Sequence, residues 1–323
     1  MTDLTNPSVA IVIAAYNAEA TIARAIASAL AQPEVTQVNV VDDASNDRTV
    51  AIAEAAASAD ARVRVFKQAV NAGPAAARNR GFAEAKADWI GVLDADDYFQ
   101  DGRISRLLSY ADQADFIADV LLRVAYGSEA SPAPAAWSAE TVQTIDFVKF
   151  VESNLGRTAR HPLDLGFAKP LIRRSFLEAH SLAYRDMRLG EDYEFYARAL
   201  ALGARFLLTP PAGYVSVERE GSLSKKHSEH DLLLLRDCDD DLARIRPFSA
   251  TEQRALRRHR ASVDNRLQWR LLINAVKARD LCAAAKTFHT PTAALYLVHR
   301  LGEQVYLRSA KMLTALRRLN AFG

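Results

Sequence analysis

Trp89-Ile90-Gly91-Val92-Leu93-Asp94-Ala95-Asp96-Asp97 runs from an apolar stretch straight into three carboxylates. The apolar part reads as a buried strand, so the acids sit where that strand ends. In an α/β sheet that end is where ligands bind. Two carboxylates at i and i+2, with Asp97 beside them, make a hard-oxygen set suited to Mg²⁺ or Mn²⁺ held together with a substrate's phosphates. An acidic turn after a strand is the competing reading, and the triplet alone favours it.

Upstream of this run, strand and helix patterns alternate. Residues 9–14 form a continuous β-rich apolar run, as expected of a strand covered on both faces. Residues 21–31 place Ile22, Ile26 and Leu30 at helical spacing. A second strand is predicted over 38–41, ended by Asp42-Asp43, and Asp47 is placed to cap an Ala-rich helix over 48–58. A third strand (63–66), a third helix (74–86) and the strand at 89–93 follow. Repeated βα units imply a parallel sheet with right-handed crossovers.

Further along, the pattern predicts a strand at 115–120, a loop at 127–136, a helix near 146–153 and a Gly/Pro-punctuated section through Pro170. A helix over 191–202 and short strands at 205–208 and 214–217 come next. From about Asp231 the pattern is helical throughout, with candidate helices at 231–245, 251–277 and 292–319.

At 323 residues, the chain has room for one large domain with an appendage, or for two domains. Cys238 and Cys282 are its two cysteines and form no CxxC pair, which excludes a disulfide framework and a thiolate zinc site and fits a reducing compartment. The first residues lack a positive n-region and a long apolar core, so a cytoplasmic protein is expected. The small net charge of +2 hides an asymmetry: residues 244–323 hold 16 Lys+Arg against 4 Asp+Glu, and the rest hold 25 against 35. A basic tail on an acidic body suggests an anionic partner surface; a solvated helical face is the competing reading.

Four motifs line up at the sheet edge. They are Ala14-Ala15-Tyr16-Asn17, Val41-Asp42-Asp43-Ala44-Ser45, Asn71-Ala72-Gly73-Pro74 with Ala77-Arg78-Asn79-Arg80-Gly81, and Leu93-Asp94-Ala95-Asp96-Asp97. Over roughly residues 8–224 this series resembles the family 2 glycosyltransferases, whose GT-A fold is a Rossmann-like α/β nucleotide-diphospho-sugar domain. Within that family, Gly73-Pro74-Ala75-Ala76-Ala77-Arg78-Asn79 and Lys169-Pro170-Leu171-Ile172-Arg173-Arg174 resemble bacterial exopolysaccharide glucosyltransferases of the succinoglycan type.

The resemblance implies a metal-dependent inverting transferase that moves a sugar, glucose above all, from a UDP-sugar to a saccharide or lipid-linked saccharide acceptor. It implies that Asp43 accepts from the uracil imide, that Ala15 and Tyr16 border the base with Tyr16 stacking on it, and that Glu19 lies near the ribose. Arg78 offers a planar fork to phosphate or a base carbonyl. Among Asp94, Ala95 and Asp96, Asp96 is the implied metal ligand, and Asp94 contacts ribose or metal-bound water. Gly190-Glu191-Asp192-Tyr193 resembles the family's Glu-Asp motif, with Asp192 as base and Glu191 as acceptor contact. Each has a structural reading beside it: core packing for Tyr16, a helix-initiating turn for Asp43, a surface ion pair for Arg78, and helix-dipole placement for Glu191 and Asp192.

The segment Glu218-Arg219-Glu220-Gly221-Ser222-Leu223-Ser224 resembles a family stretch near the diphosphate, but its two glutamates depart from the family habit. Arg219, Lys225, Lys226 and His227 could close as a lid. The expected division is a catalytic domain at 1–224 (nucleotide half 1–120, acceptor half 121–224) and a basic helical region at 225–323. In the last of its helices Leu301, Val305, Met312, Leu316 and Leu319 make an apolar stripe beside Arg300, Arg308, Lys311 and Arg318, which suits peripheral contact with an anionic inner-membrane face or an ordinary docking helix. No nucleic-acid partner is expected. Two rivals remain: a sugar nucleotidyltransferase, which should show a Gly-rich, Lys-bearing loop where this chain has Ala15-Tyr16-Asn17-Ala18-Glu19, and a non-catalytic binding protein on the same fold.

Overall fold

A computed structural model describes residues 7–128, 133–134, 141–155, 163–218 and 227–319, with side chains through Leu307 outside Ala133–Pro134. The apolar runs become strands and the Ala-rich segments helices, in strict alternation at first: β1 (Val9–Ala15), α1 (Ile22–Leu30), β2 (Val35–Asp42), α2 (Thr49–Ala59), β3 (Val63–Lys67), α3 (Pro74–Ala83) and β4 (Trp89–Val92). Helix α1 buries Ile22, Ala25, Ile26 and Ala29, the i, i+3, i+4 face expected of a helix on a sheet. Helix α3 lies so close to β1 that a Cβ on Gly81 would stand 2.3 Å from Val12 Cγ1.

The chain continues through β5 (Tyr98–Phe99), α4 (Arg103–Leu108), β6 (Phe116–Asp119), β7 (Leu122–Ala125), β8 (Ala133–Pro134), β9 (Gln143–Ile145), α5 (Phe147–Ser153), β10 (Leu171–Arg173), α6 (Arg174–Ala179), α7 (Glu191–Ala201), β11 (Phe206–Thr209) and β12 (Tyr214–Glu218). The main sheet runs β3-β2-β1-β4-β10-β6-β11-β9, and a smaller sheet runs β5-β12-β7-β8. Pairing is parallel across β3, β2, β1 and β4, whereas β10 is antiparallel to both β4 and β6. The sheet is thus mostly parallel, as expected, and β10 is an antiparallel insertion at its centre that the sequence did not reveal: three residues are too few to show a period, and they sit just after the Pro-punctuated section read as irregular. The loop expected at 127–136 is likewise interrupted by β8, which pairs with β7.

Four helices close the chain: α8 (Glu229–Leu242), α9 (Ala250–Ala278), α10 (Leu281–Lys286) and α11 (Pro291–Leu319). Capping boxes at Ser228/Asp231 and Ser249/Glu252 start α8 and α9. Leu232, Leu235, Leu242, Leu256 and Leu267 from these two helices join one apolar core with Phe195 and Tyr196 of α7. On α11, Ala293 and Leu297 are buried while Leu295, Val298, Leu301 and Val305 are exposed. Arg300 turns inward, 5.4 Å from the Trp269 ring centre and 2.6 Å from Glu303. The expected neighbours Met312, Leu316, Leu319, Arg308, Lys311 and Arg318 lie outside the described side chains, as do residues 219–226.

A fully buried ion pair joins the two sheets. Asp119 Oδ1, at the end of β6, accepts from Arg103 Nε and Nη2 at 3.0 and 2.7 Å, and its Oδ2 accepts from the backbone N–H groups of Ala212 and Tyr214, both at 3.0 Å. Arg103 Nη2 also donates to the Lys169 carbonyl at 2.7 Å. Removing one partner strands the other charge in the core. Asp119→Ala is therefore expected to cost about 3–5 kcal/mol of folding stability, read from urea unfolding.

Candidate active site

The carboxyl ends of β1, β2 and β4 lie side by side, because β1 pairs in register with both of the others. The turns leaving β1 and β2 are sharp, with Asn17 at φ 48° and Ala44 at φ 61°. They are laced to each other: Asn17 Oδ1 accepts from Asn46 N at 2.8 Å, and Asn17 N and Ala18 N donate to Ser45 Oγ and Thr49 Oγ1 at 2.9 and 2.7 Å. Asp43 N donates to the Ala15 carbonyl at 2.8 Å. Tyr16 is 47% exposed at this rim, which removes the core-packing reading. Glu19 accepts from Arg48 N at 3.1 Å and so ties the same two turns together.

Asp43 is buried, and its two oxygens accept from Ala72 N and Gly73 N, each at 2.8 Å, with Gln68 Nε2 at 3.1 Å. It fixes the loop leading into α3 and does not start a helix. Oδ1 takes two of these bonds and Oδ2 one, so one lone pair, on Oδ2, is left over. Asp47 accepts from Thr49 N at 2.9 Å at the start of α2, close to the cap expected of it.

Arg78 on α3 is 5% exposed, not the surface pair that a helix position allowed. Its Nη2 lies 3.0 Å from Asp94 Oδ1, and its Nη1 lies 3.1 Å from Glu191 Oε1 and 3.3 Å from Asp192 Oδ1. Lys169 Nζ closes the other side, 2.9 Å from Asp192 Oδ2 and 3.2 Å from Asp94 Oδ2. Asp94, Arg78, Asp192 and Lys169 thus form a ring of alternating charge, with Glu191 attached. The Tyr184 ring lies 5.4 Å from the Arg78 guanidinium, held there by a two-way bond with Asn79 of α3 (2.8 Å each way).

These contacts set the protonation of the ring. Burial alone would raise the Asp94 carboxyl, but Lys169 and Arg78 outweigh it and hold it at about 2. Burial, then the charge of Asp192, raises Glu191, with Arg78 opposing. Asp97 takes no part in the ring: it accepts from Tyr214 Oη and Val217 N, each at 2.8 Å. Burial, then the charges of Asp94 and Asp96, push it up to about 8. Ala95 is buried between the two acids, while Asp96 is part-exposed and its carbonyl accepts from Arg24 at 2.8 Å.

The site residues fit a divalent cation of one kind. Both Asp94 oxygens face cationic groups, so Asp94 is poorly disposed to ligate directly, and Asp97 is committed to Tyr214 and Val217. Part-exposed Asp96 is the carboxylate that fits. Among the described residues no three His, Cys, Asp or Glu groups converge to hold a metal ion by themselves.

The structure therefore brings Arg78, Asp94, Glu191 and Asp192 together and sets Ala15, Tyr16, Glu19 and Asp43 along the adjoining rim. Sequence reasoning missed Lys169, Tyr184 and Tyr214. Lys169 carried one usable signal, a lysine directly ahead of a Pro and an apolar run, which is a costly place to bury a charge.

The family described as Glycosyl transferase family 2 matches residues 10–178. The chain is 44% identical over 275 residues to the succinoglycan biosynthesis protein ExoU of Rhizobium meliloti, covering 84% of this chain and 79% of that one. It is 35% identical over 285 residues to ExoO of the same organism, covering 87% and 81%. In three dimensions it resembles residues 1–349 of S. aureus TarS in complex with UDP-GlcNAc, with a TM-score of 0.63 at 18% identity over 87% of this chain and 90% of that one, a likeness of fold. From the family match and the identity that runs through most of the chain, this protein belongs to the family 2 glycosyltransferases.

Proposed function

We propose that the protein is an inverting glycosyltransferase that moves a sugar, glucose by the implied resemblance, from a UDP-sugar to a saccharide acceptor in surface-polysaccharide synthesis. The observation that carries this reading is the charge ring, because it joins Asp94 on the nucleotide side to Asp192 at the start of α7. The succinoglycan role in the names of ExoU and ExoO supports the pathway class, and the UDP-GlcNAc complex of TarS supports a UDP-sugar donor.

In this reading the uracil lies against exposed Tyr16, within reach of the remaining lone pair on Asp43 Oδ2, and Ala15 and Glu19 line the same rim. Arg78 and Lys169 hold Asp94 and Asp192 in place beside the departing diphosphate. Asp96 would hold Mg²⁺ or Mn²⁺ with the phosphates, Asp94 supporting; when bound, such an ion neutralises charge on the departing UDP. Asp192 takes the proton of the acceptor hydroxyl as its oxygen bonds to the anomeric carbon and the sugar–phosphate bond breaks, releasing UDP and inverting the centre. Glu191 contacts the acceptor. Arg78 and Lys169 keep Asp192 fixed while its second lone pairs accept that hydroxyl.

A lipid-linked acceptor at the inner membrane face, with the protein cytoplasmic and peripheral, completes the proposal. Its support is the basic excess of residues 244–323 and the exposed Leu295, Val298, Leu301 and Val305 of α11. No described helix is long and apolar enough to cross a membrane, so the contact proposed is with the surface.

Three outcomes are expected. In a panel of UDP-sugars with Mn²⁺ or Mg²⁺, UDP release should be fastest with UDP-glucose and should stop with EDTA; equal release by wild type and Asp96→Ala would remove the metal assignment, since losing such charge stabilisation costs about 10²–10³ in rate. Asp192→Asn should lower release by about 10²–10⁴, and a rate within about twofold of wild type would remove the base assignment. Sedimentation with liposomes should require anionic lipid; binding that ignores lipid charge would remove the membrane contact.

A further inference from the structure

We infer that Tyr193, Asp239 and His259 form a buried positioning device that fixes the rotation of α7 and thereby aims Asp192 at the acceptor. The inference rests on the proposed role of Asp192 as base. Residues 192 and 193 are consecutive, so on a helix their side chains point about 100° apart. Asp192 turns to the charge ring, and Tyr193 turns to the C-terminal helices.

There Tyr193 Oη donates to Asp239 Oδ1 of α8 at 2.7 Å, and Asp239 Oδ2 meets His259 Nδ1 of α9 at 2.7 Å. The His259 ring stacks on the Tyr193 ring with centroids 4.0 Å apart at 24°, and Phe150 of α5 stacks on Tyr193 at 5.9 Å. All three polar residues are under 5% exposed. Burial, then the Asp239 charge, raises the Tyr193 phenol well above its usual range, so it stays a donor.

A wholly apolar contact would pack α7 at least as well, because a buried polar cluster gains little net stability. What the cluster adds is direction. Apolar side chains tolerate a small rotation of the helix, whereas two 2.7 Å bonds and a stacked ring do not. Two further contacts act on the same turn. A Cβ on Gly190, the left-handed residue before α7, would meet Leu235 of α8 at 2.5 Å. Arg185 bridges Glu194 of α7 and Asp241 of α8 at 3.0 and 2.8 Å. Helix α8 thus grips α7 at the turn that bears Glu191 and Asp192, where an error of about 1 Å can cost about 10²-fold in rate.

The test is a double-mutant cycle on UDP release, using the UDP-sugar of the panel that is turned over fastest, with Tyr193→Phe and Asp192→Asn. Tyr193→Phe should lower the rate about tenfold in the wild-type background and less than about twofold in the Asp192→Asn background, with UDP affinity unchanged. The same factor in both backgrounds, or no loss in the first, overturns the inference, because a purely structural residue would act without regard to Asp192. A wild-type rate from Asp192→Asn alone removes the base assignment, and this inference with it. His259→Gln keeps a donor for Asp239 but takes the ring off Tyr193; it carries the same cycle should Tyr193→Phe fold poorly.

Discussion

Three carboxylates and two buried cations meet at the edge of one sheet, and the rest of the molecule is arranged so that they can. None of the five could be buried there alone. Each carboxylate is tolerated because a cation faces it, and each cation because carboxylates flank it. This mutual dependence couples four distant stretches of chain: α3 brings Arg78, the end of β4 Asp94, the segment before β10 Lys169, and α7 Glu191 and Asp192. Losing any one member unbalances the others, so the site behaves as a unit.

The fold supplies the rigidity that this arrangement needs. Gly81 lets α3 settle onto β1, which sets the depth from which Arg78 reaches out. The buried Arg103–Asp119 pair holds the Lys169 carbonyl and ties the smaller sheet to the larger. Helix α7 is buried along most of its length, with Phe195 stacked on Tyr184 at 4.2 Å on one side and Tyr193 gripped by α8 and α9 on another. Residues far from the chemistry therefore decide where two carboxylates point.

Much of this was legible in the residues, for identifiable reasons. Strands β1 to β4 are apolar runs separated by Ala-rich helical segments, and their polar motifs fall at strand ends, so both the elements and the shared crevice could be read. Arg78 could be singled out as a candidate, but its burial could not be read: position on a helix does not say which face meets a neighbour from beyond residue 160. Asp43 was legible as an acid at a strand end, yet its bonds to Ala72 and Gly73 depend on loop geometry. Lys169 escaped because its meaning comes only from Asp94 and Asp192, one far before it and one after. Tyr193 escaped for the same reason, since an aromatic on a core helix reads as packing until Asp239 and His259 are placed beside it.

The position of β10 has a consequence for how the chain reaches this state. Strands β1 to β4 can pair as they emerge, each next to an earlier neighbour, but the β4 edge stays open until Leu171–Arg173 has been made. Strand β6, made long before, cannot join the growing sheet directly and waits for the same three residues. The sheet is thus completed from the inside by a late arrival, a high-contact-order step that slows folding. One short strand is thereby the keystone of assembly as well as a neighbour of the site.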